Sequence, residues 1–143
     1  MPDILHDFVI RRPPDVVFKG IAEPSGLDQW WTRRSRGRPA VGEEYELWFG
    51  PDYDWRAVVI EVIPDRRLVW RIATAMPDWV GTVVGFELAA SPQGTDVQFR
   101  HEGWAESSSH FRTSSYCWAM YLRILVRHLE HGEVVPYEDR LSV

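Results

Sequence analysis

Cysteine is almost absent from this chain: Cys117 is the only one among 143 residues, alongside three methionines. A lone thiol excludes an internal disulfide and fits a reducing compartment. Placed in a predicted helix beside Trp118, it reads as a small buried side chain rather than a nucleophile. No apolar run reaches the roughly 18 residues that a membrane-crossing helix needs. The N-terminus, which opens Met1-Pro2-Asp3, lacks the basic-then-apolar pattern of a signal peptide, so a cytosolic protein without membrane insertion is expected. Long Lys/Arg runs are missing too, and the formal charge is −5, which argues against nucleic acid as a partner. The one basic cluster, Arg33-Arg34-Ser35-Arg36-Gly37-Arg38, is short and reads as a solvated loop. There is no Gly-rich phosphate loop, no nucleophile motif, no internal repeat and no linker, and the length suits one domain over residues 1–143.

What the chain has in quantity is aromatic rings: eight Trp, five Tyr and six Phe. Such rings fill a core or line a cavity. Turn signals recur at Gly50-Pro51-Asp52, Pro64-Asp65, Pro77-Asp78 and Ser91-Pro92-Gln93-Gly94. The runs between them predict strands over Glu43–Phe49, Asp54–Ile63, Arg67–Thr74, Trp79–Leu88 and Thr95–Glu102, after a first strand over Ile4–Arg11 that ends at Pro13-Pro14. Two short helices follow that first strand, one from Pro14 to Pro24 and one from Ser25 to the Trp30-Trp31 pair.

Alternation sorts the strand residues into two faces. Leu68, Trp70 and Ile72 oppose Arg67 and Arg71; Val97, Phe99 and His101 oppose Asp96, Gln98 and Arg100; Tyr45, Leu47 and Phe49 oppose Glu44 and Glu46. The run Arg56–Ile63 is apolar on both faces and stays unoriented. One apolar and one polar face describe an antiparallel sheet covered on one side. The cover is an amphipathic helix over Ser109–His131, where Trp118, Tyr121, Leu122, Leu125 and Leu129 recur at helical spacing. Ser107 to Ser109 can cap its start, and Gly132 follows His128 and His131 at its end.

Several segments carry a resemblance. They are Ile10 to Phe18 with its Pro-Pro-Asp helix start, Pro24 to Trp31, Val41-Gly42, Val62 to Trp70, Gly94-Thr95-Asp96-Val97, His101-Glu102-Gly103-Trp104, and Trp118 with Leu122, Leu125 and Gly132. In order and spacing the chain resembles the START-like superfamily and, within it, the branch of Hsp90 ATPase activator homologues. That resemblance implies an α+β helix-grip fold: a curved antiparallel sheet, here of six strands, with two short helices and the long C-terminal helix packed across its concave face. It also implies a hollow between sheet and helix. It implies no shared catalytic motif, so no catalytic residue is assigned.

The inward-facing candidates for such a hollow are Tyr45, Leu47, Phe49, Trp70, Phe86, Phe99, His101, Trp118 and Tyr121. At about 24 cal/mol per Å³, an empty space of about 300 Å³ would cost at most on the order of 7 kcal/mol, so a hollow needs a reason to exist. His101 shares a face with Val97 and Phe99, where an imidazole orients a ligand, acts as acid or base, or is a core histidine bonded to a neighbour such as Tyr121. Trp30, Trp31 and Trp104 fall near element ends and read as gates of a cavity mouth or as rim packing, the latter favoured for Trp30 and Trp31. No carboxylate or Cys cluster completes a metal shell around His128 and His131, so no metal and no cofactor is expected.

Three functions remain open on these grounds. The first is binding of a small, mostly apolar molecule. The second is an enzyme similar to the polyketide cyclase and aromatase members, with His101 as acid or base. The third is an interaction module similar to the chaperone activator, with an Hsp90-type partner, against which stands the lack of that activator's separate N-terminal domain. The oligomeric state is open, a homodimer included.

Overall fold

Seven antiparallel strands form one sheet in the computed structural model, which describes residues 1–143. In chain order the elements are β1 (Ile4–Ile10), α1 (Pro14–Ala22), α2 (Pro24–Trp30), β2 (Arg34–Arg36), β3 (Glu44–Trp48), β4 (Asp54–Ile63), β5 (Arg67–Thr74), β6 (Val83–Ser91), β7 (Gly94–Glu102) and α3 (Ser109–His131). A short 3-10 helix follows over Tyr137–Ser142. The sheet order is β1-β7-β6-β5-β4-β3-β2, so each strand from β2 to β7 lies beside its sequence neighbour and β1 closes onto β7.

The sheet has seven strands rather than six, because β2 lies within the basic segment read as a loop. Arg36 pairs with Glu46 across the ladder, and the Arg34 guanidinium lies 4.3 Å over the Trp48 ring. The strand predicted to begin at Trp79 begins instead at Val83: Pro77–Gly81 stay in a turn, where Gly81 takes a φ of 85°.

The inner face carries Tyr45 and Leu47, Ala57 and Val59, Leu68, Trp70 and Ile72, Val84, Phe86 and Leu88, and Val97, Phe99 and His101, all buried. β4 resisted orientation for a physical reason. The register shifts between Val59 and Glu61, leaving Ile60 as an extra residue. A bulge of this kind reverses the phase of alternation, so Ala57 and Val59 point inward before it and Val62 packs on the core after it. On the outer face the charges pair across strands, Arg67 with Glu61 at 3.1 Å and with Glu87 at 2.7 Å, and Arg100 with Glu102 at 2.7 Å. Exposed pairs of this kind add little stability singly, but they keep that face polar.

The helix α3 begins where Ser108 Oγ accepts from Phe111 N at 3.2 Å and ends at Gly132, whose φ of 69° is the left-handed conformation that stops a helix. Its buried face, Ser114, Trp118, Leu122, Ile124 and Leu125, joins the sheet and both short helices in one continuous core. Trp30, Trp31 and Trp104 pack into that core: all three are at most 2% exposed, and Trp30 Nε1 donates to Gly20 O at 2.9 Å. After α3 the chain folds back along α2. Arg140, buried, donates to the carbonyls of Val135, Thr32 and Asp28, and Arg33 pairs with Glu138 at 2.7 Å.

Candidate ligand pocket

One stripe of α3 borders an open space at the edge of the core. His110, Thr113, Ser114, Cys117, Trp118 and Tyr121 recur at three- and four-residue intervals, which puts them on one face of the helix. Opposite them stand Phe49, Tyr53 and Trp55 from the β3–β4 hairpin, Met76 and Trp79 from the β5–β6 turn, Trp31 from the end of α2, and Tyr137 from the 3-10 helix. Trp55 faces inward because it pairs with Leu47, and directly opposed residues share a face. Together they bound a cavity of about 300 Å³ that opens to solvent on one side.

Five of these rings form a closed circuit. Ring centroids are 5.5 Å apart from Trp31 to Phe49, 5.0 Å from Phe49 to Trp55, 4.8 Å from Trp55 to Trp79, 5.9 Å from Trp79 to Trp118 and 5.0 Å from Trp118 back to Trp31. These separations are those of offset and edge-on aromatic pairs, so each ring fixes the next.

Behind the circuit lies His101, with no exposed surface. Its Nδ1 accepts from Trp118 Nε1 at 3.1 Å, and an indole N–H can only donate. The proton of the neutral ring therefore sits on Nε2, which donates to Thr82 Oγ1 at 2.8 Å; Thr82 in turn donates to Trp79 O at 2.5 Å. A one-way chain of neutral hydrogen bonds thus ties α3, β7 and the β5–β6 turn together. Burial, with a smaller contribution from His110, lowers the His101 pKa from its ordinary value to about 3, which keeps the chain neutral.

The other polar groups differ in what they can do. Trp79 Nε1 donates to Ser114 Oγ at 3.3 Å. Burial pushes the Tyr121 hydroxyl up to about 12 and raises the Cys117 thiol, so both remain protonated at neutral pH. Cys117 is half-buried on the cavity wall rather than enclosed in the core. His110 Nδ1 meets Asp78 Oδ2 at 2.7 Å.

Of the nine residues picked from the sequence, the cavity wall takes three: Phe49, Trp118 and Tyr121. Tyr45, Leu47, Trp70, Phe86 and Phe99 lie in the solid core, where Tyr45 Oη donates to Ala22 O at the end of α1 at 2.6 Å. His101 sits one layer behind the wall, bonded to Thr82 and Trp118 rather than to Tyr121. The space between Phe99, His101 and Trp118 is filled, with the Phe99 and Trp118 rings 4.6 Å apart. The opening lies further along, toward the β3–β4 hairpin. Trp31, expected as a gate or as rim packing, lies on the wall; Trp55, Trp79 and His110 join it without having been expected there, although the α3 stripe through His110, Ser114 and Cys117 follows the same helical spacing that marks Trp118 and Tyr121.

Residues 11–130 match the profile of the family described as activator of Hsp90 ATPase homolog 1-like protein. The chain belongs to that family. No curated protein matches its sequence. Among solved structures, it is similar to the Aha1 dimer of Colwellia psychrerythraea, at 29% identity over 93% of this chain and 99% of that one, with a TM-score of 0.85. A protein from Staphylococcus saprophyticus shares the fold at 18% identity, 94% and 96% coverage and a TM-score of 0.80. CalU16 of Micromonospora echinospora does so at 19% identity, 98% and 80% coverage and a TM-score of 0.73. For this family member, Tyr137 and the clasp around Arg140 lie beyond the matched residues yet close one wall of the cavity.

Proposed function

We propose that this protein binds a small, mostly apolar, ring-bearing molecule in the cavity between α3 and the β3–β4 end of the sheet. The observation that carries the reading is the closed circuit of five aromatic rings that lines a space open to solvent. A volume of about 300 Å³ is at the lower end for small-molecule sites, which suits one or two fused rings. Phe49 and Trp118 supply flat apolar area, and the Tyr121 hydroxyl, which has no partner among the protein's hydrogen bonds, supplies a donor. The remaining sequence-picked residues act from the core: Tyr45, Leu47, Trp70, Phe86 and Phe99 hold the sheet and α2, and His101 fixes Trp118. An enzyme reading that rests on His101 loses its basis, since both ring nitrogens are engaged out of ligand reach.

The test is a thermal-shift titration with naphthalene and indole on the wild type and on Cys117→Phe. Cys117 lies on the wall, so the larger ring fills the cavity. The wild type should be stabilised in proportion to probe concentration and the variant should not. Equal responses of the two proteins would place any binding elsewhere and sink the reading.

A second reading is a docking surface for an Hsp90-type chaperone, favoured by the family and by the apolar side chains exposed at the cavity wall, Tyr53 and Met76. Retention of purified Hsp90 on the immobilised protein would support it, and no retention would remove it. A homodimer is consistent with the Colwellia structure, and sedimentation velocity at two concentrations distinguishes it from a monomer.

A further inference from the structure

The cavity mouth holds an arrangement that the binding of an apolar ring does not use. His110 is the second residue of α3, in its first turn, where cations are not favoured; it therefore differs from His128 and His131, which suit the helix C-terminus. Its ring lines the cavity and stacks on Trp79 with centroids 6.4 Å apart. Trp104 meets it edge-on at 5.9 Å. The orientation is set by Asp78, whose Oδ2 lies 2.7 Å from Nδ1. A carboxylate accepts only, so Nδ1 carries the hydrogen and the lone pair falls on Nε2, which has no protein partner. An imidazole oriented by a carboxylate, with its second nitrogen free, is the geometry of a general base.

The neighbours leave this role to His110 alone. Tyr121 and Cys117 are held protonated by burial and so do not serve as bases. Ser114 Oγ is taken by Trp79 Nε1, and both ring nitrogens of His101 are engaged by Trp118 and Thr82. The charged and titratable groups facing His110 are thus Asp78 from the β5–β6 turn and the neutral His101 on β7; Arg112, on the same helix, is turned away to Ser107 O. Both members of the pair are slightly more than one third exposed, so a charge formed there stays partly solvated, while the five-ring circuit takes the apolar body of a ligand.

We propose that His110 and Asp78 form a proton-accepting dyad that deprotonates the acidic hydroxyl of a phenolic or enolic ligand, with its ring inserted among the aromatic side chains and its oxygen at the mouth. The step balances without a co-reactant. The ligand O–H bond breaks, its proton bonds to Nε2, and the electron pair remains on oxygen, which then accepts from the imidazolium. Asp78, a positioning residue, neutralises the new positive charge through Nδ1–H. The proposal rests on the binding reading above and names the chemical class that site would take.

The test uses 4-nitrophenol, whose phenolate absorbs near visible wavelengths while the phenol does not, and 4-nitroanisole, which has no proton to lose. At a pH below the probe's own pKa, binding to the wild type should generate the phenolate band. In Asp78→Asn, which sits outside the cavity wall and keeps the side chain's shape, the bound phenolate fraction should fall, because Nδ1–H loses the carboxylate that holds it and the lone pair is no longer fixed on Nε2. The thermal shift given by 4-nitroanisole should be the same in both proteins, which shows that the variant is folded and its cavity intact. If 4-nitroanisole binds and 4-nitrophenol binds only as the neutral phenol, the dyad is overturned and the cavity stands. An unchanged phenolate band in Asp78→Asn overturns it as well. If neither probe stabilises the wild type, the cavity reading fails and the dyad with it.

Discussion

Replacing His101 with Phe removes a buried titratable group while nearly keeping its volume, and the pH dependence of stability should change accordingly. In the folded protein the His101 pKa is about 3, against an ordinary value of 6.5. The folded pKa lies below the unfolded one, so between these values the unfolded chain binds more protons and stability falls as pH falls. The contribution is complete above about pH 6.5 and is lost progressively toward pH 3. In that window one proton per molecule is linked to unfolding, a slope of about 1.4 kcal/mol per pH unit. From pH 6.5 to 4.5 the wild type should lose about 2 to 3 kcal/mol through this group alone, and His101→Phe should lack that part of the slope. At neutral pH the same variant leaves Trp118 Nε1 without its acceptor and Thr82 Oγ1 without its donor, which costs roughly 1 to 3 kcal/mol. The two stability curves should therefore converge as the solution is acidified. Urea unfolding at half-unit pH steps measures both curves. Parallel curves for the two proteins would refute the neutral hydrogen-bond chain and the burial argument behind it.

Other outcomes follow from the clasp and the helix end. Arg140→Met strips the carbonyls of Asp28 and Thr32 of a buried donor and should cost about 2 to 3 kcal/mol, with amide exchange rising across residues 137–142 and probe binding weakened as the Tyr137 wall loosens. Protection unchanged in that segment would show that Arg140 does not hold it. Gly132→Ala forces a side chain into φ 69° and should cost about 1 kcal/mol, or a few degrees in Tm, read by calorimetry. No change there would mean that the helix end relaxes to another cap.

Much of the architecture was legible because the periodicities were clean. The two-residue alternation through Leu68, Trp70 and Ile72, and through Val97, Phe99 and His101, marks buried strand faces; the three- and four-residue recurrence through Trp118, Leu122 and Leu125 marks the helix that covers them. What stayed hidden has physical causes. β2 is three residues long and entirely polar or charged, so its strand character comes from pairing with β3 rather than from its own pattern. The phase of β4 flips at Ile60, which makes its residues look apolar on both faces and conceals the inward turn of Trp55. Trp79 belongs to a turn and reaches the cavity from there, where alternation says nothing about direction.

The position of the cavity was hidden for a related reason. Alternation tells which face a residue takes, but not whether a helix lies above it. Trp70, Phe86 and Phe99 face inward beneath Trp30, Trp31 and Trp118 and are sealed, whereas the same face near the β3–β4 hairpin and the β5–β6 turn is left uncovered. Coverage depends on where α2 ends and how α3 crosses, and neither is written in any single strand.

The indole N–H resonances of the eight tryptophans give the most direct measurement, since four of them belong to the cavity wall and the rest do not. On titration with naphthalene, the resonances of Trp31, Trp55, Trp79 and Trp118 should shift, while that of Trp48, beside Arg34, stays fixed. Shifts at Trp48 with the four wall residues unmoved, or no shift at any indole, would contradict a ligand site within the aromatic circuit.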